Sequence, residues 1–323
     1  MYRNSLTHVK EKFQKLYYKN LFETNKANAK QVWQGINDLL RRRKNQTFSL
    51  TNIIATDGRI ITDGNEICNY ANDYSTIGSH MASSISVPTN ADIHYKSVIR
   101  INSQNLYLMP ITHNEILTIR NCLDSSKSSG AHNIPAKFIK LSANVIAPII
   151  CDLYNYSITS GVFPDLLKLA YVIPVHKNGP KEICNNYTLL SPFAKIFEKC
   201  LYNELKKFFS SFQLLNKQQF GLGQNHNTSL AVSSICIAFV QCLDEGKIAC
   251  SIFLDLAKAF DTVGHTILLS KLERYRVEGL PLQLIKSYLT NRYQKTVVDN
   301  LKSNEKLVTC GVPLGSTVGP FYF

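Results

Sequence analysis

The sequence predicts an α+β fold, and three patterns in it carry that expectation. Residues 248–255 alternate strictly: Ile248, Cys250, Ile252 and Leu254 fall on one side of an extended chain, and Ala249, Ser251, Phe253 and Asp255 on the other. Elsewhere apolar residues recur at helical spacing, as Ile196, Phe197, Cys200, Leu201 and Leu205 do. Strand-like and helix-like runs are intermixed, separated by turn signals such as Asp57-Gly58 and Asn178-Gly179.

Residues from about 5 to 44 read as helical. Val9, Phe13, Leu16 and Tyr17, and then Val32, Ile36, Leu39 and Leu40, form two apolar stripes. Asp57-Gly58 divides two β-rich runs, and a short helix is expected near Glu66–Tyr74. A polar, Ser/Asn-rich connector follows. Thr112 and Glu115 form a capping box for a helix to about Leu123. The loop at Lys127–Pro135 leads into an apolar helix over 135–161. Leu169–Lys177 reads as a strand with Tyr187–Ser191 as its antiparallel partner. Helices are expected over 192–209, 228–243, 266–275 and 282–289, and strands over 247–256, 294–299 and 306–310. No internal repeat or low-complexity tract is present.

The chain has 323 residues, 45% of them hydrophobic, enough for one large domain and an appendage. Lys+Arg number 36 against 23 Asp+Glu, a net charge of +13, which favours a polyanionic partner, nucleic acid or an anionic membrane, over a merely solubilising excess. Residues 1–50 hold 11 Lys/Arg against 3 Asp/Glu. Arg41, Arg42, Arg43 and Lys44 close this stretch, either as nucleic-acid contacts or as a positive cap on a helix C-terminus. Nine cysteines are scattered with no CxxC spacing, which indicates neither a zinc ribbon nor a thioredoxin-like site and favours reduced thiols. The N-terminus has no apolar signal core, and no run reaches the ~18 apolar residues of a membrane span. The expectation is an intracellular protein of cytoplasm or nucleus, with no membrane partner.

Asp255 ends the alternating strand and is followed by Leu256-Ala-Lys258-Ala-Phe260-Asp261. A carboxylate at a strand end, before a turn, suits a hard cation. This segment, with Cys310-Gly-Val-Pro-Leu-Gly315-Ser-Thr-Val-Gly319, resembles the reverse transcriptases of non-LTR (LINE-like) retrotransposons. Further segments follow that family in order: Lys127–Pro135, Gly161–Lys168, Val172–Gly179, Asn186–Ser191 with Lys195-x-x-Glu198, Gln219–Thr228, and Ser287–Gln294.

The resemblance implies a right-hand polymerase fold: a basic helical segment at 1–50, a variable connector at 51–110, and a reverse transcriptase domain of fingers and partial palm at 111–323. It implies RNA-directed DNA synthesis with RNA template, DNA primer and dNTP as partners. Two magnesium ions, or manganese, would serve a two-metal mechanism. Asp255 would be the catalytic metal-binding carboxylate, with the Leu256 carbonyl as a further ligand. Phe260 would stack under the incoming sugar, unless it is simply a core aromatic. Gly311, Pro313 and Gly315 would form a loop beneath the nucleotide, where glycine lets backbone approach closely. Lys177 would face the triphosphate or solvent. His226, Thr228, Arg292 and Gln294 would lie along template or primer, or on plain surface. Asp261 reads as a charge at a helix N-terminus rather than as a metal ligand.

The sequence also departs from the family pattern. Thr188 and Gly223 stand where arginines are expected, His132 replaces an aspartate, Leu189 a proline and Leu314 a glutamine. Fewer cations weaken stabilisation of phosphate charge. No Tyr/Phe-x-Asp-Asp occurs in the 323 residues, so the expectation is a chain truncated before that motif and inactive alone. The alternative functions are a non-catalytic nucleic-acid-binding remnant of a decayed element, or a product that does not fold stably.

Overall fold

The structure, a computed structural model, describes residues 2–25, 31–33, 35–36, 52–55, 57–76, 78, 104–121, 123, 130, 134–175, 185–189, 192–216, 218–221, 227–256, 258–313 and 315–322. The chain divides into two compact units, Met1–Ser49 and Leu50–Phe323.

In the first unit, helix α1 spans Tyr2–Thr24. Its expected apolar stripe faces outward, with Phe13, Leu16 and Tyr17 all exposed. Arg41–Lys44 lie outside the described residues.

The second unit opens with a small hairpin, β1 (Ile53–Ile54) and β2 (Ile60–Ile61), turned at Gly58. Helix α2 (Gly64–Ser75) starts where the Asp63 carboxylate accepts the Glu66 amide at 2.8 Å. Helix α3 (His113–Asn121) carries the anticipated capping box. Glu115 accepts the Thr112 amide at 2.7 Å and Thr112 accepts the Glu115 amide at 3.4 Å. The single helix expected over 135–161 is two, α4 (Ala136–Leu141) and α5 (Ala143–Ser160), with Ser142 between them. Gly161 ends α5 in the left-handed region.

Strands β3 (Leu169–Val175) and β4 (Asn185–Leu189) pair antiparallel as expected, and helix α6 (Pro192–Ser211) follows. Helices α7 (Thr228–Asp244), α8 (His265–Arg274) and α9 (Gly279–Leu289) then lead to β5 (Arg292–Val298), β6 (Leu301–Lys302) and β7 (Lys306–Val308). A short helix, α10 (Gly319–Tyr322), ends the described chain. The sheet runs β4-β3-β5-β6, with β7 also on β5. The β3–β5 pair is parallel, which the sequence reading did not foresee. The helical connection between these two strands permits it, since parallel neighbours need a long crossover.

The core lies among α3, α5, α6, α8 and α9. Its centre is a chain of buried rings: Tyr154 on Phe197 at 4.9 Å, Phe197 on Phe163 at 4.8 Å, Phe163 on Tyr288 at 5.0 Å. Tilted and edge-on geometry of this kind adds to the burial of the rings.

The strand expected at 247–256 does not form. No strand among the described residues pairs with this stretch, and its apolar positions are open to solvent: Ile248 is 97% exposed and Leu254 88%. Alternation makes a chain suited to a sheet, but a ladder partner makes the strand. Helix α7 before it is likewise apolar yet has no buried residue. No helix among the described residues is long and apolar enough to cross a membrane.

Candidate active site

Two segments far apart in sequence meet at the turn Lys258–Val263. The turn closes by the Asp261 amide on the Lys258 carbonyl at 2.8 Å, with Lys258 itself at φ +52°. The loop after β7 is stitched to it. The Gly311 amide donates to the Val263 carbonyl and the Val312 amide to the Phe260 carbonyl, both at 2.8 Å. The Cys310 thiol donates to the Asp261 carbonyl at 3.2 Å. Phe260, Gly311 and Pro313, which the resemblance assigns to nucleotide binding, are thereby neighbours.

The contact is close because the two residues packed against the Asp261 carbonyl, Gly78 and Gly311, are both glycine. A Cβ on Gly311, at φ +82°, would stand 2.7 Å from the Asp261 carbonyl oxygen. A Cβ on Gly78 would collide with the same oxygen. His265, the first residue of α8, holds the Gly311 carbonyl through Nε2 at 2.7 Å. That bond requires the proton on Nε2, and burial pushes the imidazole below its ordinary pKa.

Lys258 and Asp261 are both partly desolvated. Burial lowers the lysine and raises the aspartate, each partly offset by the other's charge. The Lys258 ammonium donates to the Tyr74 carbonyl at 3.2 Å and lies 4.0 Å above the Tyr74 ring. Asp261 therefore belongs to the turn, not to a helix N-terminus, since α8 begins at His265. Beside the turn is a cavity of about 50 Å³ lined by Asp261, Arg292, Gln294 and Cys310–Pro313. It is far smaller than the roughly 300 Å³ or more of a typical small-molecule pocket.

Arg292 and Gln294 correct the sequence reading. Both side chains are turned inward, 3% and 8% exposed, so they are supports and not surface for template or primer. The Arg292 guanidinium lies 4.7 Å over the Tyr288 ring and donates to the Tyr288 carbonyl at 3.0 Å. Gln294 donates to the Asn72 side chain at 3.0 Å. Arg and Gln two apart on a strand share a face, but the sequence does not reveal which way that face points.

Asp255 and Leu256 are exposed on the unpaired stretch before the turn. Gly315 occupies a left-handed turn, φ +88°, that the Ser316 amide closes on the Pro313 carbonyl at 3.0 Å. Thr228 is the exposed first residue of α7. Lys177 and His226 lie outside the described residues, as do Gly223, His132 and Leu314. Thr188 sits on β4 opposite Val172, and Leu189 opposite Tyr171.

Among the described residues, Asp255 joins no group of three metal-capable side chains; His113, Cys151 and Asp152 form the only one. The described residues do not fit a two-ion centre around Asp255. Nor does the His113 group invite an ion. Its thiol donates to the Ile111 carbonyl at 3.0 Å, and burial raises its pKa, away from the thiolate a metal binds.

Sequence reasoning missed the roles of His265, Tyr288 and above all Glu198. A signal for Glu198 was present: it stands four residues after Ala194 and three before Leu201, on the buried face of α6. A carboxylate there needs partners.

Residues 175–323 match the reverse transcriptase (RNA-dependent DNA polymerase) family. The chain is 29% identical over 223 residues to a probable RNA-directed DNA polymerase from transposon BS of Drosophila melanogaster, covering 68% of this chain and 24% of the relative. It is 29% identical over 221 residues to the RNA-directed DNA polymerase from mobile element jockey of the same fly, covering 67% and 24%. The jockey polymerase of Drosophila funebris is 27% identical over 215 residues, covering 65% and 23%. The chain spans about a quarter of the length of these curated relatives. These matches support a reverse transcriptase domain of the non-LTR, LINE-like kind over residues 175–323. That family generally uses divalent metal ions.

Proposed function

We propose that this chain supplies the fingers and part of the palm of an RNA-directed DNA polymerase from a non-LTR retrotransposon. The observation that carries the reading is the stitching of the Phe260 turn to the Gly311–Gly315 loop, since the resemblance puts these same residues around the incoming nucleotide. The reaction is nucleotidyl transfer from a dNTP to a DNA primer on an RNA template. In this reading Phe260 sits against the sugar, and the loop backbone lies beneath the base. Asp255 and the Leu256 carbonyl would supply ligands to a magnesium ion. The polypeptide 1–323 by itself does not polymerise.

Two measurements test this. Reading the parent transcript past codon 323 should find an open frame running into Tyr/Phe-x-Asp-Asp; a stop or scrambled frame counts against the polymerase. Primer extension by polypeptide 1–323, with magnesium or manganese, should not exceed that of an Asp255→Ala control. A clear excess would show that these residues hold the metals after all.

The net charge of +13 and the isolation of Asp255 favour a second reading, nucleic-acid binding without chemistry. Binding that is steep in salt and indifferent to Asp255→Ala is its signature.

A further inference from the structure

The Lys195-x-x-Glu198 motif has no part in the chemistry above, yet its carboxylate is the most deeply buried charge-bearing group near the loop. Glu198 is 0% exposed. One oxygen accepts the Thr317 amide at 2.8 Å, across from α6 to the far end of the glycine loop. The other accepts the Tyr288 hydroxyl at 2.8 Å. Tyr288 is in turn held by Arg292, stacked on its ring and bonded to its carbonyl. The near end of the loop is fixed separately, by His265 on the Gly311 carbonyl.

Burying a carboxylate costs several kcal/mol unless it is well bonded and faces a cation. A leucine would serve the packing of α6 at less expense. What an acid does here, and an apolar side chain cannot, is accept a backbone N–H from the loop while holding a second element in register. We propose that Glu198 is a positioning residue that sets the conformation of the Gly311–Gly315 loop, by clamping its Thr317 end to Tyr288 of α9. That this clamp serves nucleotide binding rests on the polymerase reading; the clamp itself does not.

The test is backbone hydrogen exchange of the full chain, comparing the peptide over 310–319 with peptides from α6 and α9. Glu198→Ala should raise exchange of the loop peptide on the order of tenfold, with α6 changed much less. Glu198→Gln has one acceptor oxygen for two donors and should fall between. Tyr288→Phe keeps the ring and removes only the hydroxyl, so it reports even where Glu198→Ala fails to fold; it should loosen the loop in the same direction. Loop exchange unchanged in Glu198→Gln and Tyr288→Phe, or raised equally in α6 and the loop, would overturn the clamp. Binding of a fluorescent dNTP to the wild-type chain is read alongside. Its absence would count against the polymerase reading alone, because loop exchange decides the clamp.

Discussion

Gly311 shows how one residue can join two segments. A side chain there meets the backbone of Asp261 and also forces an L-residue into the left-handed region. Gly58 has a similar φ, +84°, but nothing within 4 Å. Gly311→Ala should therefore cost roughly 2–4 kcal/mol, strain plus displaced backbone, and Gly58→Ala about 1 kcal/mol, strain alone. Urea unfolding of the two variants side by side checks this; equal costs would mean the Gly311 contact yields without penalty. His265 gives a pH-dependent counterpart. Its folded pKa lies below the ordinary 6.5, so unfolding takes up a proton just under that pH. The stability it contributes is present above the ordinary value and lost as pH falls toward the folded one. Asp261 and Glu198, raised by burial, act with the opposite sign, losing their contribution as pH rises above the carboxylate range. The difference from His265→Gln isolates the imidazole. Between about pH 7.5 and about pH 5.5 the variant's urea midpoint should fall less than that of wild type.

At the scale of elements, packing and pattern part company at α7 and the stretch after it. Leu230, Val232, Ile237, Val240 and Leu243 are exposed on the helix, and Ile252, Phe253 and Leu254 beyond it. Apolar surface on this scale, next to backbone with no strand partner, drives association. Polypeptide 1–323 should bind a hydrophobic dye and self-associate with rising concentration. Ile252→Lys with Leu254→Lys should reduce both without lowering the melting temperature, since neither side chain is in the core. A lower melting temperature would mean that this stretch packs in solution. The same region marks the limit of what the sequence discloses. Thr112 and Glu115 announce a helix start because the cap is local. The apolar face of α6 and the β3–β4 pairing were legible for the same reason, each being set by neighbours in sequence. The parallel β3–β5 pair, the missing ladder at 247–256 and the inward turn of Arg292 depend on partners far along the chain. At the site, the motif residues Phe260, Gly311 and Pro313 could be named from sequence, but their mutual contact, and the part Glu198 and His265 play in supporting it, could not.

For the molecule as a whole, charge is the property that links the competing functions, because both require a polyanion to bind. Residues 1–50 carry 11 basic against 3 acidic side chains, and Arg41–Lys44 are the densest cluster among them. Each phosphate contact on a single strand releases condensed counterions and adds about 0.7 to the slope of log K against log salt. If all four side chains meet phosphates, replacing them with alanine should flatten the slope on single-stranded RNA by roughly 3. Asp255→Ala should leave it unchanged, as one exposed carboxylate contributes no phosphate contact. Fluorescence anisotropy across a salt series gives both slopes directly. A flattened slope makes the cluster a nucleic-acid contact. An unchanged slope with a lower melting temperature makes it the positive cap of a helix end, and shifts the search for the polyanion site to the basic residues of the second unit.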